Sequence, residues 1–333
     1  MKQYLAIDLG TTNSLVFIQG KGLIVAEPTV VAFSIEDKKV LAIGNEAKEM
    51  LGRVPGNIVA RRPLKNGVIA YYKLTEAFLK RLIDKAIGRS RLFRPEVMIS
   101  VPAGITSVEE RAVIDAASSA GAGKIYLIPE PIAAAIGANM PIHTSTGNMI
   151  VNIGGGTSEI AILAMNGIVV SKSERIAGDA INEKIQEFIK RKYNLLIGEH
   201  MAEDIKIKIG SAIERNKPKK MEIRGRDINS GLPSSIMLDT NQLVDPIRNV
   251  LNTVIYGIKE VLEKTPPELA SDIIDYGIVL SGGTAQLSGI DELFTKAIGV
   301  PVHIVEDPMT VVVRGIAEAL DNIDVLKRSL KSG

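Results

Sequence analysis

The sequence predicts an α/β protein built as two related halves around a ligand cleft, and three observations predict it. Short apolar runs alternate with segments of helical spacing along the whole chain, the pattern of α/β domains. The segment IDLGTTNS (7–14) aligns without gaps on VNIGGGTS (151–158), with Asp8 over Asn152, Gly10 over Gly154 and Ser14 over Ser158. A third glycine turn, Ser281-Gly282-Gly283-Thr284, also follows an apolar run. The repeated segment implies a duplicated strand–turn–strand unit. The alternative at this stage is chance likeness between two short glycine hairpins.

Taken in order, the first strand covers 4–9 and passes through the turn 10–13 into a strand over 14–18. The stretch 33–63 carries turn signals at Glu36-Asp37-Lys38 and Val54-Pro55-Gly56-Asn57 and reads as a small insertion. Leu74, Phe78, Leu82 and Ile83 have helical spacing, and 97–101 reads as a buried strand. Ser107 and Glu110 stand in capping-box register at the start of a helix that ends near Gly121-Ala122-Gly123. A strand over 125–128 leads to Glu130 and Pro131, where proline suits the first helical turn, and small residues over 133–138 let that helix pack closely.

In the second half, helices are expected over 180–193 and 202–213, the latter with Ile205, Ile209 and Ile213 at i, i+4 spacing. The charged, turn-rich stretch 216–235 reads as a second insertion. A long helix over 244–264 stops at Pro266-Pro267. A strand over 277–280 enters the third glycine turn. A helix from about 287, a strand over 302–305 and a last helix over 310–320 follow.

Composition narrows the function. With 333 residues and 46% hydrophobic content the chain can bury one large core or two medium ones. A formal net charge of +2 gives no reason to expect nucleic acid as a partner. The lack of cysteine excludes disulfides, thiolate metal sites and cysteine nucleophiles. His143, His200 and His303 show no ligand spacing, so no zinc site is expected. The first ten residues are too short and too soon acidic for a signal peptide, and no apolar run reaches the ~18–20 residues of a membrane span. The expectation is a soluble cytoplasmic protein whose membrane contact is peripheral.

The chemistry lies in the glycine turns. Gly154, Gly155 and Gly156 let backbone N–H groups curve around a ligand, a nest that suits phosphate, and Thr157 adds a hydroxyl. Two such turns on opposite halves and a third for a nucleoside predict a cleft that binds ATP or a similar nucleotide, outside the carboxyl ends of strands. No Gly-Lys-Ser/Thr occurs, so the phosphate cradle would be two hairpins and not a strand–helix loop. Asp8, just before the first turn, can hold Mg²⁺ through its waters; alternatively it caps the turn. Glu130 can orient or deprotonate a water, or serve as a helix N-terminal acid. Glu203, Asp204 and Lys206 either face ribose and adenine or lie on a solvated helix face. In RSRLFR (89–94), Leu92 and Phe93 between arginines suit an anionic bilayer surface, or fold back on the core. The basic run Lys217, Lys219, Lys220, Arg224 and Arg226 reads as a solvated insertion edge.

The chain resembles the actin superfamily of ATPases and, within it, the bacterial actins of the MreB family. Specific segments are GNIVARRPLKNGVIA (56–70), EPIAAAIGA (130–138), KYNLLIGE (192–199), EDIKIKIGSA (203–212) and TPPELASDIID (265–275). The resemblance implies an actin-like fold, two ribonuclease-H-like domains around a nucleotide cleft, each with a small inserted subdomain. Its bounds here are 1–32, 64–138 and 312–333 for the first domain with 33–63 inserted. For the second they are 139–178 and 240–311 with 179–239 inserted. It also implies ATP or ADP with Mg²⁺ as cofactors and slow polymer-coupled hydrolysis. The filaments would be homopolymers of paired protofilaments on the inner face of the cytoplasmic membrane, working with cell-wall synthesis and shape proteins.

By position, Thr11, Thr12 and Asn13 resemble the first phosphate loop, and Gly155, Gly156 and Thr157, with Gly154, the second. Glu203, Asp204, Ile205 and Lys206, with Gly282, Gly283, Thr284 and Ala285, look like adenosine contacts. Glu130 resembles the glutamate that positions the hydrolytic water, and Leu92 and Phe93 match the membrane loop. Four departures stand out: Asn152 where the family has Asp, Pro129 where a glutamate is usual, His200-Met201 for Arg-Thr, and Thr284 for a third glycine. Asn152 keeps an acceptor for a metal-bound water but brings no charge, so weakened Mg²⁺ affinity or hydrolysis is expected. The other classes weighed are a small-molecule kinase, for which no sugar-binding insertion is seen, and a chaperone ATPase, for which no substrate-binding domain follows.

Overall fold

The computed structural model describes residues 3–88, 93–323 and the backbone of 331–332. Its frame is two mixed sheets with the same plan. In the first, Tyr4–Leu9 turns back antiparallel into Asn13–Ile18 and then Gly22–Pro28. Its other edge pairs in parallel with Glu96–Val101, which pairs in parallel with Ile125–Pro129. In the second, Asn148–Ile153 runs antiparallel into Ser158–Ala164 and Gly167–Glu174, and in parallel with Ile278–Ser281, then Val302–Ile304. Lys331–Ser332 adds a sixth strand to the first sheet. The internal repeat thus marks equivalent central hairpins.

Both central strands are covered on two faces, which is why they read as nearly unbroken apolar runs. Leu5, Ile7 and Leu9 face one core with the helices Tyr72–Ile87 and Ser107–Ser119. Met149, Val151 and Ile153 face another with Gly178–Tyr193 and Val244–Glu263. The opposite faces, through Ala6 and Ile150, share a third core. That middle layer is filled by the helices Glu130–Gly137 and Val311–Asp321. Their crossing is set by glycine. A Cβ on Gly137 would lie 2.0 Å from the Val311 carbonyl oxygen, and one on Gly315 would lie 1.8 Å from that of Ala133. Only hydrogen fits at either place, so the backbones meet directly.

Two small three-stranded sheets lie apart from this frame. Val31–Ser34, Val40–Ile43 and Ile58–Arg61 form one around Val30, Ala32 and Ala47. Leu195–Leu196, Lys220–Asp227 and Pro233–Asp239 form the other. Stretch 216–235, read from sequence as a charged, turn-rich insertion, carries most of a hairpin.

Several element bounds differ from expectation for local reasons. The capping box uses Thr106 and Glu109, one residue earlier than Ser107 and Glu110, because both pairs satisfy the same four-residue pattern. The isoleucine-striped helix is Glu199–Ile209 and stops at Gly210, so Ile213 lies beyond it. A second helix, Pro267–Tyr276, starts at the proline expected only to end the preceding one, since proline is well tolerated in a first turn. The last connection begins with the short 3-10 turn Gly283–Gln286 before the helix Ile290–Ile298.

Candidate functional site

All three glycine turns end strands at the same side of the molecule and line one cavity of about 910 Å³. The first two interlock. A Cβ on Gly155 would lie 1.8 Å from Thr12 Oγ1, and one on Gly156 would lie 2.6 Å from Thr11 Oγ1. The threonines of one half thus rest on the bare backbone of the other, a contact open only to glycine. Side chains brace each turn. Thr29, fully buried, donates to the Gly10 carbonyl at 2.8 Å, and its N–H donates to that of Thr12 at 2.9 Å. Thr284 Oγ1 donates to the Gly154 carbonyl at 2.7 Å, joining the third turn to the second. Thr12 Oγ1 donates to Asp179 at 3.3 Å, across the two halves.

Beneath the turns lie three buried or half-buried carboxyl groups, Asp8, Glu130 and Glu159. Asp8 Oδ1 accepts from Ser100 Oγ at 2.8 Å, and Glu130 Oε2 accepts from Asn152 Nδ2 at 3.2 Å. Glu159 accepts from the Ala103 N–H at 3.0 Å and from Ser173 Oγ at 2.5 Å. Burial pushes all three upward. Asp8 rises from 3.8 to about 6 against the opposing bond from Ser100. Glu130 is raised well above the usual carboxyl range by burial, then by the charges of Glu159 and Asp8, while the Asn152 bond lowers it.

A pH dependence follows. Between 3.8 and about 6 the native Asp8 keeps a proton that the unfolded chain has released. The native state binds more protons there, so stability of the ligand-free protein falls as pH rises through that window. Thermal melting of the native chain beside D8N checks this: the fall from acid to neutral pH should be shallower in the variant. Equal slopes would contradict it.

Another wall of the cavity is built by the helix Glu199–Ile209 and the third turn. Glu203, Lys206, Ile207 and Gly210 follow i, i+3, i+4, i+7 and line the cavity. Burial pushes the Lys206 ammonium down, opposed by Asp179 and Glu203, and its Nζ donates to the Gly178 carbonyl at 2.9 Å. Burial would raise Glu203, but Lys48 at 2.8 Å, together with the charges of Lys206 and Arg62, outweighs it and holds the carboxyl below its ordinary value. Arg62 pairs with Glu199, and His200 Nε2–H donates to the Lys48 carbonyl at 2.8 Å, so the start of the helix Glu199–Ile209 is tied to the short helix Asn45–Glu49 and to Arg62.

Among the residues read from sequence, Asp8, Thr11, Thr12, Asn13, Glu130, Asn152, the turn 154–157, Glu203, Lys206, Gly282, Gly283 and Thr284 all line this cavity. Three do not. Asp204 turns outward to pair with Lys208 at 2.9 Å. Ile205 and Ala285 are fully buried in the core of the second half. Helix phase decides the first two, since residues one apart point about 100° apart. Leu92 lies outside the described residues, and Phe93 is 69% exposed. Among the described residues no helix is long and apolar enough to cross a membrane.

Sequence reading missed Asp179, Gly67, Ser100 and Glu159, named Ser281 only as the start of the third turn, and put Lys217 and Lys219, which line the cavity, on a solvated edge. The Gly67 N–H donates to Thr11 Oγ1 at 2.9 Å. Glu159 had a signal: it is an acid inside SEIAILA, a strand buried at every position. In the repeat it stands over Leu15, so it is an added carboxyl and not part of the shared frame.

The family model described as MreB/Mbl protein matches residues 2–328. The chain belongs to the MreB/Mbl family. It is 47% identical over 327 residues to the cell shape-determining protein Mbl of Bacillus subtilis (strain 168), covering 98% of each chain. It is 45% identical over 326 residues to the cell shape-determining protein MreB of Escherichia coli (strain K12), covering 96% of this chain and 94% of that one. The crystal structure of MreB 5 of Spiroplasma citri bound to AMPPNP superposes with a TM-score of 0.93 at 33% identity, covering 97% of both. The MamK double helical filament, at TM-score 0.81 and 20% identity, shares the fold. The MreB/Mbl frame is thus actin-like, as the sequence predicts.

Proposed function

We propose that this chain is an ATP-binding bacterial actin that polymerises into filaments and takes part in determining cell shape. The observation that carries it is the interlocking of two equivalent glycine turns from the two halves over one cavity. A ligand whose phosphates contact both turns binds the closed arrangement better than any open one, and so shifts the population toward closure. In this reading the two large sheets are the ribonuclease-H-like domains and the two small ones their insertions. The curated relatives are named for cell shape, and the Spiroplasma relative was crystallised with AMPPNP and with ADP.

In this reading the N–H groups of Thr11–Asn13 and Gly154–Thr157 hold the phosphates. Glu203, Lys206 and the third turn hold the nucleoside, and Glu130 accepts a proton from the attacking water. The donor set fits a hydrated Mg²⁺. Asp8 and Glu130 take only neutral donors, Ser100 and Asn152. Among the described residues no three His, Asp or Glu side chains converge as direct ligands. Asp8 would therefore hold the ion through water. When bound, Mg²⁺ neutralises phosphate charge and polarises the bond that breaks.

High-speed pelleting of the purified protein tests the assignment. Sedimentation with ATP or AMPPNP, and none without nucleotide, is expected. A monomer that stays in the supernatant under every nucleotide would refute it. We assign membrane attachment to Leu92 and Phe93, supported by the exposure of Phe93 beside Arg94. Changing both to serine is expected to abolish co-sedimentation with anionic liposomes. Undiminished binding would remove this loop as the anchor.

A further inference from the structure

The two halves end their central strands alike. Ile7 pairs with Ile99, which sets Ser100 beside Asp8, and Ser100 Oγ donates to Asp8 Oδ1 at 2.8 Å. Asn152 pairs directly with Ser281, and Ser281 Oγ donates to Asn152 Oδ1 at 3.0 Å. One frame therefore carries a carboxylate in the first half and an amide in the second. The amide has an N–H donor that a carboxylate lacks. Asn152 directs it at Glu130 Oε2, 3.2 Å away. In the structure Nδ2 faces Glu130 and Oδ1 accepts from the serine hydroxyl, the orientation that an ionised Glu130, which only accepts, requires. All three residues are buried: Ser281 is 0%, Asn152 5% and Glu130 8% exposed.

The third turn sits directly on this chain. A Cβ on Gly282 would lie 2.8 Å from Asn152 Oδ1, and Thr284 adds its own bond to Gly154. A carboxylate at 152 would bring two acidic oxygens together at the Glu130 contact, where only a proton or a cation could reconcile them. The amide needs neither.

We propose that Asn152 and Ser281 are positioning residues for Glu130, a two-bond bridge that joins the nucleoside turn to the carboxyl at the cavity floor without a cation between them. The kinetic half of the proposal rests on the ATPase reading; the bonding half does not.

Melting of the ligand-free full chain tests the bonding half. N152D is expected to melt lower by about 1–4 °C, the range that loss of one buried polar contact produces in a chain of this size. E130Q should raise the melting temperature far more in N152D than in the native chain, because the amide introduced at position 130 can donate to the carboxylate introduced at position 152 and rebuild the bridge with reversed polarity. A native-like N152D, or an equal gain from E130Q in both backgrounds, overturns the bridge. Should N152D not fold, S281A and S281T decide. S281A leaves Asn152 Oδ1 without its donor and is expected to lower kcat for phosphate release on the order of 10-fold, with nucleotide affinity within about two-fold. S281T keeps the hydroxyl and should restore kcat. A native kcat in S281A overturns positioning. If the native chain releases no phosphate above background, the ATPase reading fails, and the melting comparison alone decides the bridge.

Discussion

Glu130→Ala is expected to slow phosphate release by about 10²–10⁴-fold, the range for loss of a positioned general base. Nucleotide affinity should change far less. The groups that face phosphate are backbone N–H groups of the two glycine turns, and Glu130 braces neither of them. Alanine also strands the Asn152 amide, which costs about 1–3 kcal/mol as an unpaired buried donor. Glu130→Gln separates the two effects. Its side-chain oxygen still accepts from Asn152 Nδ2, so stability is kept while the base is lost. Single-turnover phosphate release beside titration with a fluorescent ATP analogue makes the measurement. A Gln variant that turns over at the native rate would remove Glu130 from the reaction.

Gly155→Ala should abolish nucleotide-dependent assembly. The added Cβ falls 1.8 Å from Thr12 Oγ1 and 2.7 Å from Thr12 Cβ, so the two turns must separate. Thr12 cannot simply rotate away at no cost, because its hydroxyl also bridges to Asp179. A displacement near 1 Å at a site of this kind costs about 10²-fold in function. Gly198→Ala is the matched control, since a Cβ there meets nothing within 4 Å. Pelleting with AMPPNP measures both variants. Assembly of the Gly155 variant at native nucleotide concentration would show that the turns are free to part.

Much of the frame was legible along the chain. The repeat of IDLGTTNS in VNIGGGTS implies two equivalent hairpins, and the sheets bear them out with the same strand plan. Glycine at 155 and 156 was legible as a demand for close approach, though not that the approaching atoms belong to Thr12 and Thr11. The nucleoside side was half legible. EDIKIKIGSA marks a helix in the cleft, but adjacent residues on it go to cavity, solvent and core, as Glu203, Asp204 and Ile205 do. Ala285 follows two lining glycines and a lining threonine, yet a tight 3-10 turn carries it into the core.

The sequence by itself determined the family, the actin-like fold and the three turns that meet at the cavity. The family and the actin-like fold rest on the resemblance of particular segments, and the turns on local rules: which residues tolerate a tight turn, and which apolar spacing makes a strand or a helix. Tertiary structure alone decided the company that each polar group keeps. Asn152 reads as a lost charge in the sequence, whereas in the fold its amide joins Ser281, 129 residues away, to Glu130, 22 residues away. Glu159 reads as an acid inside an apolar run, and only the fold supplies the burial that raises it. The physical reason is the same for both. Proton affinity and hydrogen-bond direction depend on which groups share a buried volume, and chain separation carries no information about that.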